Sequence, residues 1–298
     1  MRIRLSNCGA ELGIPGRLRA CLFDLDGVLT NSATIHAAAW KEMFDEYLMA
    51  RAGKSGEPFV AFDEIADYDT YVDGKPRADG TRSFLASRHI VLPEGAPDDL
   101  AGMSTVSGLS NAKNTMLLQK IRNGGVDAYS GSMRYVRAVR DAGLRRAVVS
   151  SSANCKVVLE AAGIASLFEV VIDGVTIEEG KLAGKPAPDT FLAGARALEV
   201  DPELAVVFED SLSGVEAGRA GGFGFVVGVD RVGQAEALRS HGADVVVTDL
   251  AELLDGTSKP RTKNVPPSIT VFHHVPENQV ESGFPDLAKD QVEHHEAG

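Results

Sequence analysis

Two aspartates one residue apart, Asp24 and Asp26 in "CLFDLDGVLT", follow directly on an apolar run, and a second acidic pair, Glu209 and Asp210 in "LAVVFED", follows another. Short Val/Leu/Phe runs of this kind suit strands buried on both faces of a parallel sheet. If those two strands are parallel neighbours, four carboxylates gather at one edge, and their repulsion needs a cation. Hard oxygen ligands on loops suit Mg²⁺, which keeps waters and is held by one or two carboxylates together with a substrate phosphate. The chemistry expected is Mg²⁺-assisted work on a phosphorylated compound, with Asp24, Asp26, Glu209 and Asp210 as candidate metal ligands.

Two more residues fit an anion at the same edge. Ser150 ends the run "RRAVVSS" just before a helical pattern, and a helix N-terminus favours negative charge. Lys185, in the Gly/Pro-bounded "GKPAPD", offers a point charge for a phosphoryl oxygen. Competing motifs fail on spacing. Counted from Asp24, an EF-hand loop needs Gly sixth and Glu twelfth, whereas Gly27 is fourth and Ile35 twelfth. "GKLAGKPAPD" is one residue short of a P-loop and carries Pro186 where that motif needs Ser or Thr.

The elements that must position these groups are legible as a pattern. Apolar runs at 19–25, 145–151, 168–174, 204–210, 224–230 and 243–249 alternate with amphipathic stretches at 130–144, 152–164, 187–200 and 211–222. Such alternation predicts an α/β fold with a doubly wound, Rossmann-like parallel sheet core. From 33 to 125 the strand signal disappears and helical segments take over, beginning with "SATIHAAAWKEMFDEYLMARAG", which predicts an inserted helical cap domain. Sites in open α/β sheets lie beyond the carboxyl ends of the strands, so an insertion leaving the first strand there reads as a lid. The expected division is a core of 1–32 and 126–256, a cap of 33–125 and a flexible tail of 257–298. The tail is rich in Pro and charge, with one short strand expected at "SITVFHH", and its pairs His273/His274 and His294/His295 read as solvent-exposed rather than metal-binding.

Composition narrows the function classes. A net charge of −12 disfavours a general binder of nucleic acid, so an anionic substrate needs a locally basic pocket. No apolar stretch reaches the roughly 18–20 residues of a membrane span, and the N-terminal segment lacks the apolar run of a secretory signal, so a cytoplasmic enzyme is expected. Cys8, Cys21 and Cys155 are widely spaced and read as inert thiols. The composition leaves the oligomeric state open.

The order "FDLDGVLT", "VVSSSAN", "GKPAPD", "FEDSLSG" closely resembles the four motifs of the haloacid dehalogenase superfamily of aspartate-nucleophile phosphotransferases, and the resemblance covers about residues 18–254. It implies that Asp24 is the nucleophile that becomes an aspartyl phosphate and that Asp26 is the general acid/base. It further implies that Ser150, Ser151, Asn154 and Lys185 hold the transferring phosphoryl group. Mg²⁺ would be bound by the Asp24 carboxylate, the Asp26 carbonyl and Asp210, with Glu209 in support.

Within the superfamily, "DLDGVLTNSATIHAAAW" is similar to the first motif of the β-phosphoglucomutase family with its following His and Trp, here His36 and Trp40. "DGKPRADGTRSFLASR" and "NAKN" resemble that family's basic cap loop and Lys-Asn pair. A mutase that turns over a bisphosphate needs a second anion grip far from the metal. Lys75, Arg77, Arg82 and Arg88 against Asp73 and Asp79 give this stretch a local excess of positive charge. Arg82 is the first choice for the distal phosphate, with Lys75 and Arg77 as alternates. Lys113 and Asn114 are expected at the cap–core boundary, His36 at the hinge near Asp26, and Trp40 in the core of the lid. The resemblance implies conversion of β-D-glucose 1-phosphate to glucose 6-phosphate through a 1,6-bisphosphate. A sugar-phosphate phosphatase is the alternative, and a non-catalytic sugar-phosphate-binding module a remote one.

Overall fold

A computed structural model describes residues 11–255. Cys8 and the expectations for 257–298, including the strand at "SITVFHH" and both His pairs, lie outside the described residues. Six parallel strands, β1 (Ala20–Phe23), β2 (Arg145–Val149), β3 (Val170–Ile172), β4 (Ala205–Glu209), β5 (Phe225–Val229) and β6 (Val245–Val247), form one sheet in the order 3-2-1-4-5-6. The strand order changes direction between β1 and β4, and crevices at such switch points are where α/β sheets bind ligands.

Alternation along the strands sends side chains to two separate apolar layers. Cys21, Phe23, Val148, Val206 and Phe208 join one cluster, whereas Ala20, Leu22, Ala147, Val149, Ala205 and Val207 join the other. Burial on both faces explains why the strands read as unbroken apolar runs. The pairing of β1 with β4 puts Phe23 opposite Phe208, and their rings stack at 4.5 Å. The next residues, Asp24 and Glu209, therefore leave the sheet side by side, as the expected strand adjacency requires.

Between β1 and β2 the chain is helical, with α1 (Ser32–Ser55), a wide turn at Tyr68–Val72, α2 (Arg77–Ser87) and α3 (Val106–Gly124). These helices have an apolar centre of their own, built on Trp40, Met43, Phe44, Phe62 and Phe84. Phe44 is fully buried there, 4.1 Å from the Phe84 ring and 5.3 Å from the rings of Trp40 and Phe62. Truncation by Phe44→Ala removes the hub, and a loss of about 3–5 kcal/mol is expected in a urea titration followed by Trp40 fluorescence. The chain departs and returns at neighbouring points: Asn31 N–H donates to Asp127 O at 3.0 Å, and Thr30 bridges Ala128.

The remaining helices are α4 (Ser130–Asp141), just before β2, and, after it, α5 (Cys155–Ala161), α6 (Gly174–Gly180), α7 (Asp189–Ala197), α8 (Leu212–Ala220), α9 (Ala235–His241) and α10 (Ala251–Leu254). Among the described residues no helix is long and apolar enough to cross a membrane. Cys21 and Cys155 are buried free thiols whose ionisation burial pushes upward, in keeping with inert cysteines.

Candidate active site

Asp24 stands one residue past β1, its backbone N–H donating to Phe208 O at 2.9 Å. Its carboxylate is buried, and Oδ1 accepts a hydrogen bond from Lys185 Nζ at 2.5 Å. The same ammonium lies 2.5 Å from Glu209 Oε1 and 4.8 Å from the centre of the Phe191 ring. The expectation that the acidic edge needs a cation is met first by this side chain. Burial works against the Lys185 charge, but Asp24 and Glu209 more than offset it and hold the ammonium above the usual lysine range. Burial, with Glu209 and Asp26, drives the Asp24 pKa well above the ordinary carboxylate value, while Lys185 pulls it down.

Glu209, expected in support of the metal, is held by Lys185 and Ser211. Its Oε2 accepts from the backbone N–H of Ser211 at 2.8 Å and from the Ser211 hydroxyl at 2.9 Å, and Oε1 faces Lys185, so both oxygens are engaged within the protein. Asp210 has no cationic partner among the described residues, and burial followed by Asp73, Glu209, Asp24 and Asp26 raises its pKa well above the usual range. Gly27, at φ +82°, passes so close that a Cβ there would collide with the Asp210 carboxylate. That arrangement fits a hard divalent ion. Asp24 and Asp210 supply carboxyl oxygens at one sheet edge, and Asp210 has no cation beside it among the described residues. Among the described residues no three acidic, His or Cys side chains close into a cage, and Mg²⁺ bound through one or two carboxylates, waters and a phosphate does not require one.

Asp26 points elsewhere. Its Oδ1 accepts from the Ser32 hydroxyl and lies 3.7 Å from His36 Nε2. His36 Nδ1 is 3.1 Å from Lys113 Nζ, and burial, together with the Lys113 charge, lowers the His36 pKa to about 4. A neutral imidazole that accepts from Lys113 at Nδ1 carries its proton on Nε2, facing Asp26. Lys113 is itself buried, 4.9 Å above the Trp40 ring. Burial and the nearby Arg77 charge lower its pKa to about 7.

One cavity brings together Asp24, Asp26 and Asp210 from the sheet edge with His36, Arg77 and Lys113 from the helical insertion. Trp40 and Lys75 also line it, although Trp40 is stacked on Phe44 in the apolar centre of the insertion and Lys75 donates to Tyr71 O and Ser83 Oγ, both at 3.0 Å. Arg82, the first choice for the distal grip, is outside the cavity. It is tied to Glu94 by Nε and Nη2, and to Asp79 by Nη1 at 2.7 Å, on an exposed surface. Arg77, one of the alternates, lines the cavity instead: it is half-buried, and its guanidinium makes no hydrogen bond or ion pair among the described residues.

The residues after β2 also differ from expectation. The helix begins only at Cys155, so its N-terminus is not directly at Ser150; Ser150 Oγ accepts from Ser152 N–H at 3.1 Å. Ser151 turns its hydroxyl onto Gly74 O at 2.7 Å, and Asn154 Nδ2 donates to Asn114 Oδ1 at 2.7 Å, joining two expected residues across the cavity rim. Residues not singled out beforehand are Tyr68, Asp73, Ser152 and Ser211. Asp73, which the sequence offers only as a charge offsetting the basic stretch, is raised to about 7 by burial, then by Glu209 and Asp69.

The family model of the haloacid dehalogenase-like hydrolases matches residues 18–222. Proteins named β-phosphoglucomutase from Mycobacterium bovis and Mycobacterium tuberculosis are 58% identical over 246 residues, covering 82% of this chain and 94% of theirs. A trehalose-phosphate phosphatase of Mycobacterium leprae is 35% identical over 138 residues, 45% of this chain and 30% of that one. Among solved structures, a β-phosphoglucomutase from Clostridium difficile matches with a TM-score of 0.61 at 25% identity, covering 79% of this chain and 93% of that one. CbbY from Rhodobacter sphaeroides in complex with phosphate matches at 0.60 and 25%, covering 80% and 98%. With a sheet edge that gathers Asp24, Lys185 and Asp210, and with relatives this similar over nearly their full length, the chain belongs to the haloacid dehalogenase-like hydrolase family and within it resembles the β-phosphoglucomutases.

Proposed function

We propose that this protein is a cytoplasmic β-phosphoglucomutase that interconverts β-D-glucose 1-phosphate and glucose 6-phosphate, with residues 33–125 acting as a cap over the core. The observation that carries the reading is a single cavity lined both by a buried Asp24, which Lys185 holds, and by two cations of the insertion, Arg77 and Lys113. A phosphatase needs one anion grip, whereas a bisphosphate intermediate that turns over needs two.

In this reading an Asp24 carboxylate oxygen attacks phosphorus, an aspartyl O–P bond forms, and the bond to the departing sugar oxygen breaks. Asp26 gives that oxygen its proton and later takes one from the hydroxyl that receives the phosphoryl group. Lys185 holds Asp24 in place and faces the oxygens of the transferring group. Neutral His36 keeps its Nε2 proton toward Asp26, and Arg77 with Lys113 holds the phosphate that is not reacting. Mg²⁺, held by Asp24, Asp210 and the Asp26 carbonyl, would neutralise developing charge on the phosphoryl oxygens.

A pH dependence follows from two groups that line the cavity. Lys113 loses its proton as pH rises through about 7, and Asp73 gains negative charge over the same interval. Both changes disfavour an anion, so KM for the sugar phosphate is expected to rise between pH 7 and roughly 9. Lys113→Met should flatten that slope without abolishing it, since Asp73 persists; a slope unchanged in the variant would remove Lys113 from the grip.

A coupled assay decides between transfer and hydrolysis. With β-glucose 1-phosphate, Mg²⁺ and a trace of glucose 1,6-bisphosphate, the mutase reading expects glucose 6-phosphate with little free phosphate. Release of phosphate alone would make the protein a sugar-phosphate phosphatase, the reading favoured by the name of its family.

A further inference from the structure

The turn that carries the cap into the cavity, Asp73–Pro76, is seated in a socket made by the loops at Ser151 and Gly184 and the first turn of α8. Ser151 Oγ donates to Gly74 O at 2.7 Å, and Ser213 Oγ donates to Asp73 O at 3.3 Å. Gly74 has φ +69°, and a Cβ on it would collide with the Ser213 hydroxyl and come within 2.6 Å of the Ser211 hydroxyl. On the other side of the turn, Pro76 lies so close to Gly184 that a Cβ there would be 2.5 Å from the proline ring. Each contact is next to a residue of the site: Ser151 follows Ser150, Gly184 precedes Lys185, and Ser213 is three residues beyond Asp210.

We infer that Ser151 and Ser213 are positioning residues that clasp the 73–76 turn by its two carbonyls, keep the cap seated while the phosphoryl group is on Asp24, and so favour transfer to sugar over transfer to water. The inference rests on the mutase reading. Neither hydroxyl has other work in the cavity. Ser151 spends its donor on Gly74 rather than on the phosphoryl position expected for it, and Ser213 contacts only the turn and, at 3.4 Å, Ser211. The clasp grips main chain, so it does not depend on which sugar lies beneath. Opening it exposes Asp24 to solvent, where hydrolysis of an acyl phosphate competes with the slower binding of the second hydroxyl.

The test is the double variant Ser151→Ala/Ser213→Ala, which removes two oxygens and leaves Asp24, Asp26, Lys185, Arg77 and Lys113 untouched. Free phosphate released per glucose 6-phosphate formed is measured beside hydrogen exchange of the amides in 72–77, with β6 as internal control. The expected result is faster exchange confined to the turn and about a tenfold rise in the phosphate fraction, the scale of losing two ordinary hydrogen bonds. Faster exchange with an unchanged phosphate fraction overturns the inference, as does unchanged exchange. A wild-type protein that releases only phosphate defeats the mutase reading before any variant is compared. The clasp is then judged by exchange alone, faster exchange supporting it and unchanged exchange overturning it.

Discussion

Asp24→Asn is expected to leave a folded protein with turnover reduced about 10⁴-fold or more, the scale of losing a nucleophile that acts in concert with its neighbours. The fold survives because an asparagine Oδ1 still accepts from Lys185 Nζ, and because Glu209 Oε1 still faces that ammonium. The amide oxygen does not attack phosphorus, so incubation with a bisphosphate and Mg²⁺ should add no phosphoryl group to the protein by mass spectrometry. Asp26→Asn should behave differently. With its carboxylate turned to Ser32 and His36 rather than to Lys185, Asp26 is outside the Asp24 ion pair, so the variant keeps the nucleophile but loses the proton donor to the departing oxygen, and phosphorylation should be slowed rather than abolished. Equal phosphorylation of wild type and Asp24→Asn would move the nucleophile to another residue.

Lys185→Met should cost both activity and stability. Lys185 is 3% exposed and its ammonium is the partner shared by Asp24 and Glu209, so its loss leaves two buried carboxylates facing each other. Breaking a buried ion pair in this way costs about 3–5 kcal/mol, and losing an electrostatic group at the transferring phosphoryl lowers kcat by about 10²–10³-fold. The stability deficit has a defined pH sense. Lys185 lowers the Asp24 pKa against burial and the neighbouring carboxylates, so removing it raises that pKa further above the unfolded value. A carboxylate with a raised folded pKa is penalised above that pKa and relieved as pH falls through it. The gap between wild type and variant in urea titrations should therefore be largest near pH 8 and narrower near pH 5. A gap independent of pH would mean that the two carboxylates are not what Lys185 compensates.

The sheet and its insertion were legible because both-face burial and helical periodicity leave long-range patterns that survive without knowledge of partners. The six apolar runs became six strands, and the acidic residues after the first and fourth met because Phe23 and Phe208 are in register. Short elements registered unevenly: α5, α6 and α9 are each seven residues long, and only α5 fell within an amphipathic stretch read from the sequence. Charges were legible in number but not in direction. Arg77 and Arg82 are five residues apart on α2, which separates them by about 140° around the axis, and only the first faces the cavity. The partners that take Arg82 away, Glu94 and Asp79, count in a sequence only as nearby acids. The same limit hid the Lys185 bridge, because the residue that neutralises Asp24 lies in a loop far along the chain and the local sequence suggested a metal ion instead.

The hydrogen-bonded crossing of Asn31 and Asp127 has a consequence for how such a chain diversifies. The ends of the insertion meet at one point beside β1, so everything between them is a side branch with its own apolar centre around Phe44. Lengthening, shortening or resculpting that branch alters no strand register and no residue spacing within the sheet edge. The chemistry at Asp24 and the choice of what reaches it are thus written in separable stretches of one gene, and selection can rework the second while the first stands still.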